Sequence, residues 1–389
     1  MTDILNMKIE DMVNLSFKCS CGRNHSVDIQ KISINNNVVN EVINIASRYK
    51  EGKIFLIADN NTYLISGKNI EEELKRQQFN LKSYVFQTLK PLVPDEKAAG
   101  RLLVEIEEDT SLIISIGSGT LNDLARILSY KLKIPYIIVG TAPSMDGYAS
   151  SVSPLIINGF KKTYEAIYPM AIIADIEAMK KAPKEMITAG FGDIIGKYTA
   201  LTDWNLSKTI NNEYYCENTV KLVKNAIEKC VNNIDGIINR EDSSIQSMVE
   251  ALILSGIAIG LVGNSRPASG AEHHLSHYWE MDFLAKGRLH PLHGNLVAAG
   301  TIVISALYEM IKEKTDLTID IPDSATIKNL LSKIGAPVSP IDLGIERELF
   351  KQSILHAKEI RPRYTVFHLA QKLGFLEEAA IRLTEMFYD

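Results

Sequence analysis

Cysteine is scarce in this chain, and its scarcity excludes one common class of protein. Only four cysteines occur in 389 residues, too few for the disulfide framework on which small secreted domains depend. Two of them, Cys19 and Cys21, lie close to His25, and two thiols with an imidazole can bind zinc. No fourth ligand is apparent nearby, and residues two apart also share a face on an ordinary strand. The pattern therefore favours a strand over a metal site.

An excess of basic residues and a long apolar run are missing as well. The net charge of −5 argues against nucleic acid or an anionic membrane as partner. The longest apolar stretch, around residues 251–262, is too short to span a bilayer and is rich in small residues, like a buried helix. Asp3, Glu10 and Asp11 are incompatible with a signal peptide. We therefore expect a soluble, cytoplasmic protein with neither a membrane nor a nucleic-acid partner.

What the chain does contain is a regular order of local patterns. Strand-like runs alternate with amphipathic stretches from about residue 33 to 175, which predicts a parallel sheet with helices on both faces. The predicted strands are residues 53–58, 81–87, 112–116, 136–139 and 171–174, and the helices between them include residues 38–49 and 98–107. Residues 151–170 predict a hairpin with its turn at Asn158-Gly159. Beyond residue 178, patterns of 3.6-residue period predict helices, such as residues 218–233, 245–262 and 296–312.

These patterns predict two domains. Residues 1–178 should form an α/β domain with a Rossmann-like parallel sheet, and residues 179–389 an all-helical domain. The boundary comes just before Pro183, a residue suited to the first turn of a helix.

A glycine-containing loop is the first candidate binding site. An apolar run beginning at Ser111 stops at Gly117 and Gly119, and a helix pattern follows. In this context backbone N–H groups and a helix N-terminus can receive a pyrophosphate. The third glycine of the dinucleotide fingerprint is missing, so a tight turn would explain the glycines equally well. A side chain at Gly119 should hold the backbone away from a bound pyrophosphate.

Two further features support a nucleotide site. A polar loop from Thr141 to Ser150 follows the next predicted strand, and neighbouring parallel strands place their loops along one sheet edge, where nucleotides bind. Asp59 ends another strand. An acid there accepts ribose hydroxyls and repels a 2′-phosphate, which would favour NADH. Capping of the following helix is the alternative role for Asp59.

A cluster of histidines is the second candidate site. Five of the eight histidines lie close together in sequence: His273, His274, His277, His290 and His293. His273 and His277 are four apart and share one helix face. With Asp193, His273 and His293 look like a three-ligand metal site with one open position. A group of surface or capping histidines is the alternative.

Four motifs in order carry a family resemblance. They read Gly117-Ser118-Gly119-Thr120-Leu121, Thr141-Ala142-Pro143-Ser144-Met145-Asp146-Gly147, Gly190-Phe191-Gly192-Asp193, and Arg266-Pro267-Ala268-Ser269-Gly270-Ala271-Glu272-His273. From about residue 35 to 375 the chain resembles the sn-glycerol-1-phosphate dehydrogenases, particularly their bacterial branch. That family belongs to the superfamily of dehydroquinate synthase and the iron-type alcohol dehydrogenases. The resemblance implies the fold of that superfamily.

The resemblance also implies roles for individual residues. NAD(H) or NADP(H) would contact Gly117, Ser118, Gly119, Thr120, Leu121, Thr141, Ala142, Pro143, Ser144 and Ser150. Substrate would contact Asp146, Asp193 and His277, which form the expected catalytic set. One divalent metal would be held by Asp193, His273 and His293. The bacterial branch resembles nickel users and the archaeal branch zinc users, so we expect nickel, with zinc as the alternative.

The implied reaction is the reversible NAD(P)H-dependent reduction of dihydroxyacetone phosphate to sn-glycerol 1-phosphate. Lys197 and Arg266 are candidates for holding the phosphate. A dehydroquinate synthase-like lyase, a glycerol or polyol dehydrogenase and a catalytically silent binding protein are the alternatives. The lyase typically has a glutamate ligand, whereas Asp193 stands here. We also expect a homo-oligomer, as a homodimer.

Overall fold

The computed structural model describes residues 4–389. Its strands are β1 (Ser16–Lys18), β2 (Asn24–Ser26), β3 (Lys31–Asn35), β4 (Lys53–Asp59), β5 (Leu81–Phe86), β6 (Thr110–Gly117), β7 (Tyr136–Gly140), β8 (Val152–Ile157), β9 (Phe160–Glu165) and β10 (Ala171–Asp175). The helices of the first half are α1 (Val38–Ala46), α2 (Asn60–Thr62), α3 (Lys68–Arg76), α4 (Glu96–Glu105) and α5 (Gly119–Leu132). A π-helical segment, Tyr63–Gly67, joins α2 to α3.

The remaining elements are helical. They are α6 (Ile176–Lys181), α7 (Lys184–Ile195), α8 (Lys197–Asn211), α9 (Glu217–Asn232), α10 (Ile234–Ile238), α11 (Asp242–Val262), α12 (Ala271–Ala285), α13 (His293–Lys312), α14 (Ser324–Ile334), α15 (Arg347–His356), α16 (Val366–Lys372) and α17 (Leu376–Tyr388). Short 3-10 turns lie between some of them.

A parallel sheet of six strands is the centre of the first half, in the order β3-β10-β7-β6-β4-β5. The five strands predicted for it are all present, and the predicted fold class is confirmed. One strand, β3, was not predicted. It has two apolar residues, Ile32 and Ile34, among polar ones, and so short an alternation gives a weak signal. It pairs with β10 at the sheet edge.

Both faces of the sheet are covered, which explains why its strands are apolar along their length. On one face Ile114 packs in a cluster with α1 and α3. On the other, Ile113 packs in a cluster with α4 and α5. The hairpin β8–β9 follows, and its turn residues Asn158 and Gly159 have φ of 52° and 78°, as a two-residue hairpin turn requires. That prediction is confirmed.

Close helix packing organises the second half. The Gly192 and Gly294 positions allow α7 and α13 to touch backbone to backbone, because a Cβ on Gly192 would lie 2.5 Å from the carbonyl oxygen of Gly294. Asp193 follows Gly192 and His293 precedes Gly294, so both residues flank this contact between the helices. Gly196 separates α7 from α8.

A single hydrophobic cluster runs from the sheet into α7 and α11, and it includes Ile138, Phe191 and Ile253. Residue 178 falls within α6, and the division into two domains at this point stays a prediction. The stretch 251–262 belongs to α11, whose 21 residues are more than the sequence suggested. By length and composition α11 and α13 could cross a membrane, yet 72% and 94% of their most apolar windows are buried. Such burial is typical of core helices.

Candidate active site

The two polar loops lie side by side at the carboxyl edge of the sheet. Gly117 at the end of β6 pairs in register with Gly140 at the end of β7, and the Thr141 amide donates to the Gly117 carbonyl at 3.1 Å. Ser118 is the N-cap of α5, so the first amides of that helix lie at the same edge. From β4 the chain adds β5 on one side, and it then adds β6, β7 and β10 on the other, so the strand order reverses between β4 and β6. Open α/β sheets bind ligands at such a switch point.

The two loop glycines have different reasons to be glycine. A Cβ on Gly117 would lie 2.4 Å from Leu121 Cδ1, whereas the nearest atom to a Cβ on Gly119 is Met145 Cγ at an ordinary 3.5 Å. The fold therefore requires glycine at position 117 but not at position 119. A tight turn explains the first glycine, and close approach of a ligand to the backbone would explain the second.

The other predicted nucleotide contacts belong to the same two loops. A Cβ on Gly190 of α7 would lie 1.8 Å from the Pro143 carbonyl oxygen, so α7 packs directly against the second loop. The Tyr148 hydroxyl donates to the Ala142 carbonyl at 2.6 Å, and Thr120 Oγ1 donates to the Leu92 carbonyl at 3.3 Å. Leu121, Thr141 and Ser144 are buried. Ser150 Oγ accepts from the Val152 amide at 3.1 Å, where the hairpin begins.

Asp59 caps the N-terminus of α2, which was the alternative role considered for it. Its Oδ1 accepts from the amides of Asn61 and Thr62 at 2.9 and 2.8 Å. The position is nevertheless the carboxyl end of β4, next to β6 at the switch point. A contact with ribose stays a prediction.

A buried lysine connects the second loop to the helical half. Lys197 Nζ lies 2.7 Å from Asp146 Oδ2 and 2.6 Å from Asp193 Oδ1. Asp193 Oδ2 accepts from the Asp146 amide at 3.0 Å, and Ser255 donates to Asp146 Oδ2 at 2.8 Å. Burial alone would lower the pKa of Lys197, but the two carboxylates outweigh it and raise that pKa. Lys197 is therefore a cation at neutral pH.

These contacts change the expectation for the phosphate. Lys197 is fully buried and its charge is already matched by two carboxylates. Arg266 is also paired, because Glu213 accepts from its Nε and Nη2 at 2.8 and 2.5 Å. Neither of the two predicted phosphate residues has a free charge. Sequence spacing indicated a shared cleft but could not show that these cations have carboxylate partners.

Of the three predicted metal ligands, His273 lies near both of the others. His273 Nε2 lies 3.7 Å from Asp193 Oδ1, and the His273 and His293 rings have centroids 5.2 Å apart. Tetrahedral zinc would set a nitrogen–oxygen separation of about 3.3 Å, so the His273–Asp193 pair would need to close by a few tenths of an ångström. The donor set fits a divalent metal with an open position.

Two glutamates that the sequence reading missed orient the histidines. Glu272 Oε1 accepts from His273 Nδ1 at 2.7 Å, and Glu280 Oε1 accepts from His293 Nδ1 at 2.8 Å. Each bond leaves Nε2 with its lone pair, the arrangement in which a carboxylate fixes the tautomer of a metal-binding histidine. Glu280 follows His273 by seven residues on α12 and therefore shares its face, a signal that was available in the sequence.

His277 belongs to the same group. Its Nδ1 donates to Glu280 Oε2 at 2.9 Å, and Arg361 Nη2 lies 3.2 Å from its Nε2. Lys161 of β9 also reaches Glu280, at 2.8 Å. His277, Glu280 and His293 themselves form a compact group with metal-binding atoms. In that group, however, both Nδ1 atoms face Glu280 as hydrogen-bond donors, which favours ligation through Nε2.

Burial keeps His273 and His277 neutral. It lowers the pKa of His273 well below its ordinary value and that of His277 to about 3, although Glu280 acts in the opposite direction on His277. Neutral imidazole is the form that binds metal. The other two histidines are elsewhere: His274 is buried with no hydrogen-bond partner in residues 4–389, and His290 Nδ1 donates to the Pro291 carbonyl at 2.7 Å.

Comparisons with known proteins identify the class of fold. A family model described as iron-containing alcohol dehydrogenase matches residues 33–183. A probable glycerol dehydrogenase from Sinorhizobium meliloti has a similar solved structure, with a TM-score of 0.69, 16% identity and coverage of 91% of this chain and 96% of that one. The fold is thus that of the iron-containing alcohol dehydrogenase class.

Two curated relatives narrow the class further. The chain is 33% identical to the glycerol-1-phosphate dehydrogenase (NAD(P)+) of Halalkalibacterium halodurans, over 94% of this chain and 98% of that protein. It is 32% identical to the enzyme of the same name from Geobacillus stearothermophilus, over 96% and 100%. The chain belongs to the glycerol-1-phosphate dehydrogenase family, and the predicted resemblance is confirmed.

The open position at residue 119 gives the first prediction. Gly119→Val should raise the dissociation constant for NADH at least about tenfold, or roughly 1.4 kcal/mol, because a side chain holds the backbone away from the pyrophosphate. Fluorescence titration measures the affinity. Gly100→Val on α4, where a Cβ meets nothing within 4 Å, is the matched control and should bind normally. Unchanged affinity in the Gly119 variant would place the nucleotide elsewhere.

Proposed function

We propose that this protein catalyses the reversible NAD(P)H-dependent reduction of dihydroxyacetone phosphate to sn-glycerol 1-phosphate. One observation carries the proposal: Lys197 forms ion pairs with both Asp146, in the loop after β7, and Asp193 of α7. This contact brings the loops proposed for the nucleotide against the donor set proposed for the metal. The names of the family members support the same reaction.

The metal site of this proposal is Asp193, His273 and His293. A divalent ion held there would supply positive charge to the substrate oxygen as hydride arrives at carbon. Glu272 and Glu280 hold the two imidazoles with Nε2 available. Imidazole and carboxylate suit nickel and zinc alike, and we favour nickel, with zinc second. Asp146, Asp193 and His277 are proposed to contact the substrate.

His277 is the proposed hydrogen-bonding partner of a substrate hydroxyl. Its Nδ1–H bond to Glu280 makes Nε2 an acceptor, and that atom lies on the same helix face as His273. Because burial keeps the ring neutral, Nε2 can accept a hydrogen bond from a substrate hydroxyl. Arg361, which contacts the same nitrogen, would bind the substrate beside it.

For the phosphate we propose Arg361, assisted by Arg363. In residues 4–389 no carboxylate forms an ion pair with either guanidinium. Their Nη atoms lie 3.4 and 2.9 Å from one acceptor, Ser265 Oγ, so two unmatched positive charges converge. Arg361 also touches His277, which links the phosphate position to the substrate hydroxyl. Arginine forks bind phosphate oxygens in pairs.

The remaining features of the proposal concern cofactor and setting. Asp59 at the switch point favours NADH over NADPH, since a carboxylate repels a 2′-phosphate. We further propose a cytoplasmic homodimer acting on a small phosphorylated substrate. The absence of a basic excess in the composition supports a partner set without nucleic acid.

Metal binding gives the second prediction. His293→Ala should lower bound nickel or zinc by one equivalent per chain and abolish activity, because two ligands cannot retain the ion. Elemental analysis of the purified holoprotein measures the loss. His290→Ala removes a neighbouring imidazole that bonds only the Pro291 carbonyl and should keep the full metal content. The reverse pattern would make His290 the ligand.

Substrate choice gives the third prediction. The wild-type enzyme should reduce dihydroxyacetone phosphate far faster than dihydroxyacetone, because unmatched cations in a phosphate site cost several kcal/mol. Arg361→Ala should lower kcat/KM for the phosphate ester about 10- to 100-fold, or roughly 1.5–3 kcal/mol. Its effect on dihydroxyacetone should be small. Steady-state assays with NADH and with NADPH measure both substrates.

Arg347→Ala is the matched control, since that half-exposed arginine pairs with Asp389 and should leave both rates unchanged. Equal turnover of dihydroxyacetone, or of glycerol in the reverse direction, would replace this proposal with a polyol dehydrogenase. An equal loss on both substrates in the Arg361 variant would leave the reaction but remove Arg361 from the phosphate.

A further inference from the structure

A second group of metal-binding side chains lies at the N-terminal hairpin β1–β2. Cys19 and Cys21 lie in the turn between these strands and His25 lies on β2. Cys216, which directly precedes α9, comes from 191 residues further along the chain than His25. The ligand atoms of the four residues all lie within 4.8 Å of one another.

The separations match those of a tetrahedral zinc site. Zinc holds sulfur at about 2.3 Å and nitrogen at about 2.0 Å, so tetrahedral angles set sulfur–sulfur distances of about 3.8 Å and sulfur–nitrogen distances of about 3.5 Å. Here Cys19 Sγ lies 3.8 Å from Cys216 Sγ. His25 Nε2 lies 3.3 Å from Cys21 Sγ and 3.5 Å from Cys216 Sγ.

The surroundings prepare each ligand. His25 Nδ1 hydrogen-bonds the Leu261 carbonyl at the end of α11, which makes it the donor and directs the Nε2 lone pair at the sulfurs, as outer partners of metal-binding histidines do. Asn218 Nδ2 donates to Cys19 Sγ at 3.3 Å. The Tyr214 hydroxyl lies 3.2 Å from Cys21 Sγ. Such donors stabilise thiolates.

The group is also closed. Cys19, His25 and Cys216 are at most 6% exposed, and Cys21 is half-buried. The Cys19 amide donates to the Arg23 carbonyl and the Gly22 amide to the Cys19 carbonyl, at 2.9 and 3.1 Å, so the backbone turn fixes both thiols. A set of four protein ligands with no open position is typical of structural zinc.

We propose that Cys19, Cys21, His25 and Cys216 bind a structural zinc ion that fastens the N-terminal hairpin to the helical half of the protein. This site is separate from the catalytic donor set, which contains no thiol. The preference for a plain strand was wrong about the backbone, because Cys19 and Cys21 lie in the turn after β1. The fourth proposed ligand comes from a distant segment that local spacing could not reveal.

The position of the ion gives it a consequence for the active site. The segment before Cys216 contains Glu213, which holds Arg266, and Arg266 stands seven residues before His273. Trp204 Nε1 donates to the Tyr214 carbonyl at 2.7 Å in the same segment. Zinc would thus anchor a segment that supports the start of α12.

Cobalt substitution distinguishes the two sites spectroscopically. Protein expressed with Co²⁺ should show thiolate-to-cobalt charge-transfer absorption, which only the cysteine group can produce. Cys216→Ser should lose that absorption and one equivalent of metal. The matched control, Cys230→Ser, changes a buried cysteine of α9 outside the group and should keep both. His273→Ala should also keep the thiolate absorption, so loss of metal from the proposed catalytic site can be distinguished from loss of metal at the cysteine group.

A measurement on the unaltered holoprotein covers the case in which Cys216→Ser does not fold. Titration with a mercurial thiol reagent should release one zinc per chain, detected by a chromogenic chelator, as three thiols react. Absence of thiolate–cobalt absorption in the wild type, or thiol titration without zinc release, would overturn the proposal. So would a Cys19–Cys216 disulfide found by mass spectrometry of unreduced protein, since oxidised sulfurs cannot bind the ion.

Discussion

The arrangement of the active site depends on one buried cation. Asp146 and Asp193 lie against each other in the interior, and two unmatched carboxylates there would repel and lose hydration. Lys197 bonds both. Burial alone would raise the pKa of Asp146, but Lys197 outweighs it and lowers that pKa, whereas burial and Asp146 together raise the pKa of Asp193. Lys197 therefore favours the charged form of Asp146 and offsets part of the repulsion between the two carboxylates.

Close packing then determines where the other ligands lie. Gly192 and Gly294 let α7 approach α13 closely at positions that flank Asp193 and His293. Asp203 bonds the Ala271 amide at the start of α12 and the Val366 amide at the start of α16, which fixes the helix that contains His273. Glu272 and Glu280 then fix the ring orientations. The residues that position the proposed ligands therefore come from several segments, and no single motif contains them all.

The sequence was sufficient for the features that repeat locally. Apolar runs predicted the strands of the sheet except β3, and Asn158-Gly159 predicted the hairpin turn. Short motifs predicted a site from Asp193, His273 and His293, and the structure places Asp193 and His293 each near His273. Features that depend on contacts between distant segments could not be predicted from the sequence. The pairing of Arg266 with Glu213, the enclosure of Lys197 and the approach of Cys216 to His25 each join segments that have no local pattern in common.

The central claim is that Lys197 joins the two carboxylates, and a double-mutant cycle tests it directly. The free energy of unfolding is measured for wild type, Lys197→Met, Asp146→Asn and the double variant. Lys197→Met alone should cost about 3–5 kcal/mol, because it leaves buried charge unmatched. The double variant should be more stable than the sum of the single losses predicts, by at least about 1 kcal/mol. Losses that add to within about 0.5 kcal/mol would contradict the account.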